Sequence, residues 1–149
     1  MKPLIASPAL AIAIFACTDQ LSPSAYTGNY PLRTVNGSAV PATAAAVSTG
    51  CTVAFGSGAI YLADGVFSLS FNSGYGCQGA NATVYPVTIG GSLSGRSSPL
   101  TARAIDPTGQ NGSVMEMSVT VSGADAVVTL PAGAMQLGAA TTLVFGPRQ

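Results

Sequence analysis

The most regular pattern along the chain is a two-residue alternation of apolar and polar side chains. In residues 66–72, Phe67, Leu69 and Phe71 fall on one face, and Ser68, Ser70 and Asn72 on the other. That is the period of a half-buried β-strand. Ala59 to Leu62 precede it, and Asp64-Gly65 joins the two stretches with a pair that tolerates the positive φ angles of a tight hairpin turn. A second alternation runs from Ser113 to Val121, with Met115, Met117, Val119 and Val121 opposite Glu116, Ser118 and Thr120. Tyr30 and Leu32 alternate ahead of an Asn36-Gly37 turn, and Tyr85, Val87 and Ile89 share a face. Pro86, which donates no ladder hydrogen bond, needs an edge or a bulge there. Shorter strands are expected over 100–105, 126–130 and 141–145.

Gly or Pro interrupts nearly every stretch long enough for a helix. Thr43 to Val47 have the composition of one helical turn, though nothing caps it. Residues 73–81 read as a glycine-rich loop around Cys77, 90–98 as a turn region, and 131–140 as a loose connection. About eight or nine short strands at regular spacing give an all-β fold, an up-and-down antiparallel β-barrel over residues 28–149. A barrel of that size has an interior that side chains fill or that holds one small ligand.

The start of the chain breaks the pattern. Met1 and Lys2 precede an apolar run from Leu4 to Ala16. Its length suits a secretory leader of about 7–15 residues rather than the roughly 20 of a membrane span. Ile14-Phe15-Ala16-Cys17 resembles a lipobox, with Phe15 where that pattern has a small or branched residue. The expectation is a signal peptide over 1–16, lipidation of Cys17, and a flexible tether over 17–27. Acyl chains on that cysteine would anchor the protein to a membrane. The other reading makes Cys17 the last apolar residue of a leader cut elsewhere. Thr18 in place of Asp after the cysteine implies the outer membrane, under the sorting rule of some Gram-negative bacteria. The bacterial cell envelope is the expected location.

Three cysteines are an odd number. With Cys17 assigned to lipid, Cys51 and Cys77 remain as a disulfide pair in an oxidising compartment. The bridge would contribute roughly 3–4 kcal/mol in the chain-entropy picture. Two buried free thiols are the alternative. A zinc site is not expected, because two cysteines without histidine offer too few ligands.

Only 7% of residues are charged, against about 25% in ordinary domains. Beyond the leader, four arginines stand against five acidic residues, and they form no cationic cluster. Nucleic acid is therefore excluded as a partner. The chain has no histidine and no lysine after Lys2, so the commonest general bases are missing and no Ser–His–Asp or Cys–His arrangement is possible. Asp64, Asp106 and Asp125 fall in expected turns, where such residues cap the backbone. No enzyme, cofactor or metal is expected. The triplets at Asn36, Asn81 and Asn111 match the glycosylation pattern and are read as chance in a chain this rich in Ser, Thr and Asn.

GNYPLRTVNGSAVPA, then Cys51, then GAIYLADGVFSLSF resembles small lipocalin-like (calycin-like) bacterial hypothetical lipoproteins. Gly28, Tyr30, Leu32, Val35, Asn36, Gly37 and Pro41 fit the first part of their pattern. Gly58, Ile60, Leu62, Asp64, Gly65, Phe67 and Leu69 fit the second, with Ile60 in place of a Leu. The likeness covers roughly residues 28–72 and a last strand ending near Arg148. It implies a calycin-like barrel anchored by lipid. Gly28-Asn29-Tyr30 is also similar to the Gly-x-Trp that opens lipocalins, which implies a contact between Tyr30 and Arg148 of the cation–π kind. In such a barrel Tyr30, Leu32, Phe67, Leu69, Phe71, Met115 and Met117 face the interior. There they line an apolar ligand pocket or simply fill the core. The expected partners are a membrane through the lipid, and a small apolar ligand or an envelope protein. The alternative to ligand binding is a structural or interaction module of the envelope.

Overall fold

The computed structural model describes residues 21–78, 82–109 and 112–149. The expected leader, Cys17, Asn81 and Asn111 lie outside the described residues. A single helical turn, α1 (Pro23–Tyr26), precedes ten strands. They are β1 (Gly28–Val35), β2 (Ser38–Ala39), β3 (Ala42–Ala45), β4 (Cys51–Ala63), β5 (Val66–Cys77), β6 (Tyr85–Ser94), β7 (Leu100–Ile105), β8 (Val114–Ser122), β9 (Asp125–Leu130) and β10 (Thr141–Phe145). A short 3-10 turn, Ala134–Gln136, lies between β9 and β10.

Neighbouring strands pair antiparallel from β4 through β10, β10 pairs with β1, and β1 returns to β4 through Gly28↔Leu62 to Pro31↔Ala59. Eight strands thus close an all-β barrel, as the alternation predicts. β2 and β3 are additions. The far half of β1 pairs with β2 and the near half of β4 pairs with β3, so both fill the gap where β1 and β4 diverge. The Asp64-Gly65 hairpin forms where expected, with Leu62↔Phe67 and Ile60↔Leu69 in register.

Three local expectations are corrected. The helical turn over 43–47 is strand as far as Ala45, because Thr43 and Ala44 pair with Ala54 and Val53 of β4. The glycine-rich loop over 73–81 is strand as far as Cys77, paired with β4 down to Cys51. The turn region over 90–98 begins as strand: Gly90 and Gly91 pair with Ser68 and Phe67. Gly91 has no side chain for a reason, since a Cβ there would stand 3.0 Å from the Phe67 ring and overlap the Arg103 carbonyl. In each case a distant partner strand supplies what local composition lacks.

One hydrophobic cluster fills the barrel from Tyr26 and Tyr30 to Phe145. Phe55 and Phe71 meet with ring centroids 5.4 Å apart. One end of the barrel carries the β4–β5, β6–β7 and β8–β9 turns and is capped by the N-terminal turn. From Leu21 onward the stretch expected as a tether is docked: Leu21 N donates to the Arg96 carbonyl at 2.9 Å, and Tyr26 is buried. Burying an aromatic ring favours that docking over a free linker. The other end, the mouth, is where β1, β5, β7 and β9 finish and β4, β6, β8 and β10 begin; β2, β3 and the connection 131–140 lie there.

Candidate functional site in the barrel mouth

On β5 the inward phase runs Phe67, Leu69, Phe71, Ser73 and then Tyr75; on β6 it runs Leu93, Ile89, Val87 and then Tyr85. Deep in the barrel these positions are buried, and at the mouth they open to solvent: Tyr75 is 40% and Tyr85 62% exposed. Register places Ser73 opposite Tyr85 and Val53 opposite Tyr75. The resulting cavity, about 620 Å³, is lined by Val53, Ser73, Tyr75, Cys77, Thr83, Tyr85, Val87, Thr108, Met135 and Gln136 among others.

Its far wall is a strap, residues 131–138, drawn across the mouth. Met135 and Gln136 take left-handed backbone angles, φ 51° and 63°, which non-glycine residues adopt only when their surroundings over-determine them. Here they do. Val47 N donates to the Gln136 carbonyl at 2.8 Å and Gly138 N to the Ala45 carbonyl at 2.9 Å, stitching the strap to the end of β3. Met135 N donates to Oδ2 of Asp106 at 3.0 Å on the opposite side. Oδ1 of Asp106 accepts from Thr108 N and Thr108 Oγ1, both at 2.8 Å. Burial by itself raises the Asp106 pKa, but the donors of Thr108, Met135 and Gly109 outweigh it and hold the carboxyl below its ordinary value. Asp106 therefore caps its own turn, as the sequence suggests, and also latches the strap.

The disulfide Cys51–Cys77 is present, joining directly opposed residues of β4 and β5 at the rim of this cavity. Among the described residues no three His, Cys, Asp or Glu side chains come together as a metal site.

The seven side chains expected either to line a pocket or to fill the core, Tyr30, Leu32, Phe67, Leu69, Phe71, Met115 and Met117, are all buried in the interior cluster. None lines the mouth cavity, although Met115 and Met117 edge two smaller clefts. Tyr30 and Arg148 are neighbours. The Tyr30 hydroxyl donates to the Tyr26 carbonyl at 2.7 Å, and Arg148 donates to the Ala25 and Ser24 carbonyls at 2.7 and 3.4 Å. Burial raises the Tyr30 pKa, and the adjacent guanidinium draws it partly back. A Cβ on Gly28 would stand 2.7 Å from the Arg148 Cγ, so the glycine makes room for that side chain's stem.

Sequence reasoning assigned none of the cavity lining to a ligand site, Tyr75, Tyr85, Met135 and Gln136 included. Continuing the β5 alternation four residues beyond Phe71 finds Tyr75, and Tyr85 already shares a face with Val87 and Ile89 in the sequence pattern. The strap has no such signal, because Pro131, Gly133 and Gly138 erase any period.

Fold and site together define a closed eight-stranded antiparallel barrel with a filled interior and an apolar cavity in its mouth. No protein-family model matches the chain, and neither a curated protein nor a solved structure matches it significantly.

Proposed function

We propose that this is an exported, lipid-anchored protein of the bacterial cell envelope, not an enzyme, whose barrel binds a small, mainly apolar molecule at its mouth. The observation that carries the binding reading is the cavity of about 620 Å³ walled by Tyr75, Tyr85, Val53, Val87 and Met135. Its size falls within the roughly 300–1,000 Å³ of small-molecule sites. Because the interior is filled, this reading puts the ligand at the rim and not among the seven inward side chains that the lipocalin-like resemblance offered as pocket lining. Support for the address is the leader-like run ending at Ala16-Cys17. A closed eight-stranded barrel with Gly28 beneath Arg148 is consistent with the lipocalin-like resemblance. The absence of histidine from the chain speaks against the commoner catalytic devices.

Native mass spectrometry of the chain recovered from an oxidising periplasm, compared with its denatured mass, tests the reading. Non-covalent mass lost on denaturation is the expected result; identical masses overturn it. Fractionation tests the anchor: the protein should leave the membrane fraction on Cys17→Ser, and membrane retention by the variant would reject lipidation at that residue.

A second reading, an interaction module of the envelope, rests on Ile105 and Val114. They are cross-strand neighbours on the outer wall, 57% and 61% exposed. Capture of a protein partner that Ile105→Ser releases would favour it.

A further inference from the structure

We infer that the mouth selects an uncharged, flat aromatic ligand; this rests on the ligand-binding reading and narrows it. The first observation is where the charges lie. Arg33 and Asp125 face each other at 3.8 Å on the outside of the wall, and Arg103 pairs with Glu116 at 3.2 Å across the outer face of β7 and β8. Asp64, Arg96 and Arg148 belong to the capped end. The remaining charge among the described residues, Asp106, is at the mouth, but it is buried and both its oxygens accept hydrogen bonds. Among the described residues no charged side chain lines the cavity. An anion or cation entering it would shed water and meet no counter-charge, which is disfavoured.

The second observation is the placement of the two tyrosines. Ser73 lies opposite Tyr85, and Tyr75 is two residues further along β5 on the same face. Tyr75 and Tyr85 are therefore diagonal neighbours, with backbone positions roughly 7–8 Å apart, within the reach of aromatic side chains. Both tyrosines border one volume, closed on the far side by Met135, whose thioether makes favourable contacts with aromatic rings. Aromatic guests gain from ring-to-ring contact beyond simple area burial. Gln136 and Thr83 at the rim leave room for one or two neutral hydrogen-bonding groups on the guest.

A matched pair of fluorescent probes tests this: N-phenyl-1-naphthylamine, which is neutral, and 8-anilino-1-naphthalenesulfonate, the same skeleton bearing a sulfonate. Both are titrated against residues 18–149 in detergent-free buffer, a chain that keeps every residue of the barrel. The neutral probe should saturate, and the sulfonate should bind at least tenfold more weakly. The double variant Tyr75→Ser/Tyr85→Ser should lose at least tenfold in affinity for the neutral probe with an unchanged melting temperature. Equal or tighter binding of the sulfonate, or full affinity in the double variant, overturns the inference. Its failure is separable from that of the underlying reading. A native adduct with the mass of a charged compound leaves ligand binding standing and removes the selectivity, whereas no adduct and no probe binding removes both.

Discussion

Each end of the barrel carries a pair of tyrosines and a charged side chain turned onto the backbone, to opposite effect. At the capped end Tyr26 and Tyr30 are buried, the Tyr30 hydroxyl is bonded to the Tyr26 carbonyl, and Arg148 turns its guanidinium onto the carbonyls of α1. At the mouth Tyr75 and Tyr85 stand open, and Asp106 directs its carboxylate onto the backbone of its own turn and the strap. In both places a charged side chain is hydrogen-bonded to backbone groups of a neighbouring segment. The difference lies in the aromatics. At one end they are covered and complete the core; at the other they are left as surface for something else to cover. A tyrosine's role here is set by which end of the barrel it occupies and whether another segment covers it there.

The largest expected effect lies at the capped end. Tyr30→Ala removes a fully buried ring and should cost about 4 kcal/mol, in the range for large-to-small aromatic truncations. Urea unfolding of the variant against the parent measures it. A loss under 1 kcal/mol would mean that the capped end is not part of the cooperative core. Next comes the rim. Cys51→Ser/Cys77→Ser should lower stability by about 3 kcal/mol through the entropy of the opened chain. Reduction of the parent protein should match it, and a parent that unfolds identically with and without reductant would show that the bridge adds nothing.

The same contrast explains how much could be read from the sequence. The wall was legible wherever one face meets the core and the other meets water: Phe67/Leu69/Phe71 against Ser68/Ser70, and Met115/Met117 against Glu116/Ser118. The two-residue period reports that environment directly. It weakens at Gly74, Gly76, Gly90 and Gly91, where strands persist because a partner pairs with them and not because their side chains prefer it. The site lies in that region of weak signal. Met135 is held by Asp106 and Gln136 by Val47, which come from two separate connections. No local pattern encodes contacts between loops that meet only once the barrel has closed. The seven inward residues of the alternation were correctly grouped by face, but a face alone does not distinguish a filled interior from an open one.

Asp106 offers an intermediate effect that separates mouth from core. Asp106→Asn replaces an acceptor of three hydrogen bonds with a group that turns N–H donors toward other donors, and should cost about 2 kcal/mol. The parent should also carry a pH signature. A carboxyl whose pKa is lower when folded than its ordinary 3.8 contributes stability above that value. The contribution is lost as pH falls from about 3.8 through the lower folded value. Acid titration of unfolding free energy should show that decline in the parent and a flatter course in the Asn variant. Equal slopes would mean that the latch is not ionised in the folded protein.

The smallest effect on stability should come from the residues that matter most to the proposed ligand. Tyr75→Ser and Tyr85→Ser remove exposed rings without opening a cavity or stranding a buried partner. Each should shift unfolding by no more than about 0.5 kcal/mol, the ordinary range for surface substitutions. Set beside Tyr30→Ala, this makes an eightfold contrast between tyrosines of one protein, read by the same denaturation experiment. If either mouth variant loses more than about 2 kcal/mol, its ring is holding the rim together and is not free to bind. That tyrosine would then belong with Tyr26 and Tyr30 as core, and recognition of a guest would fall to the rest of the cavity wall, Val53, Val87 and Met135.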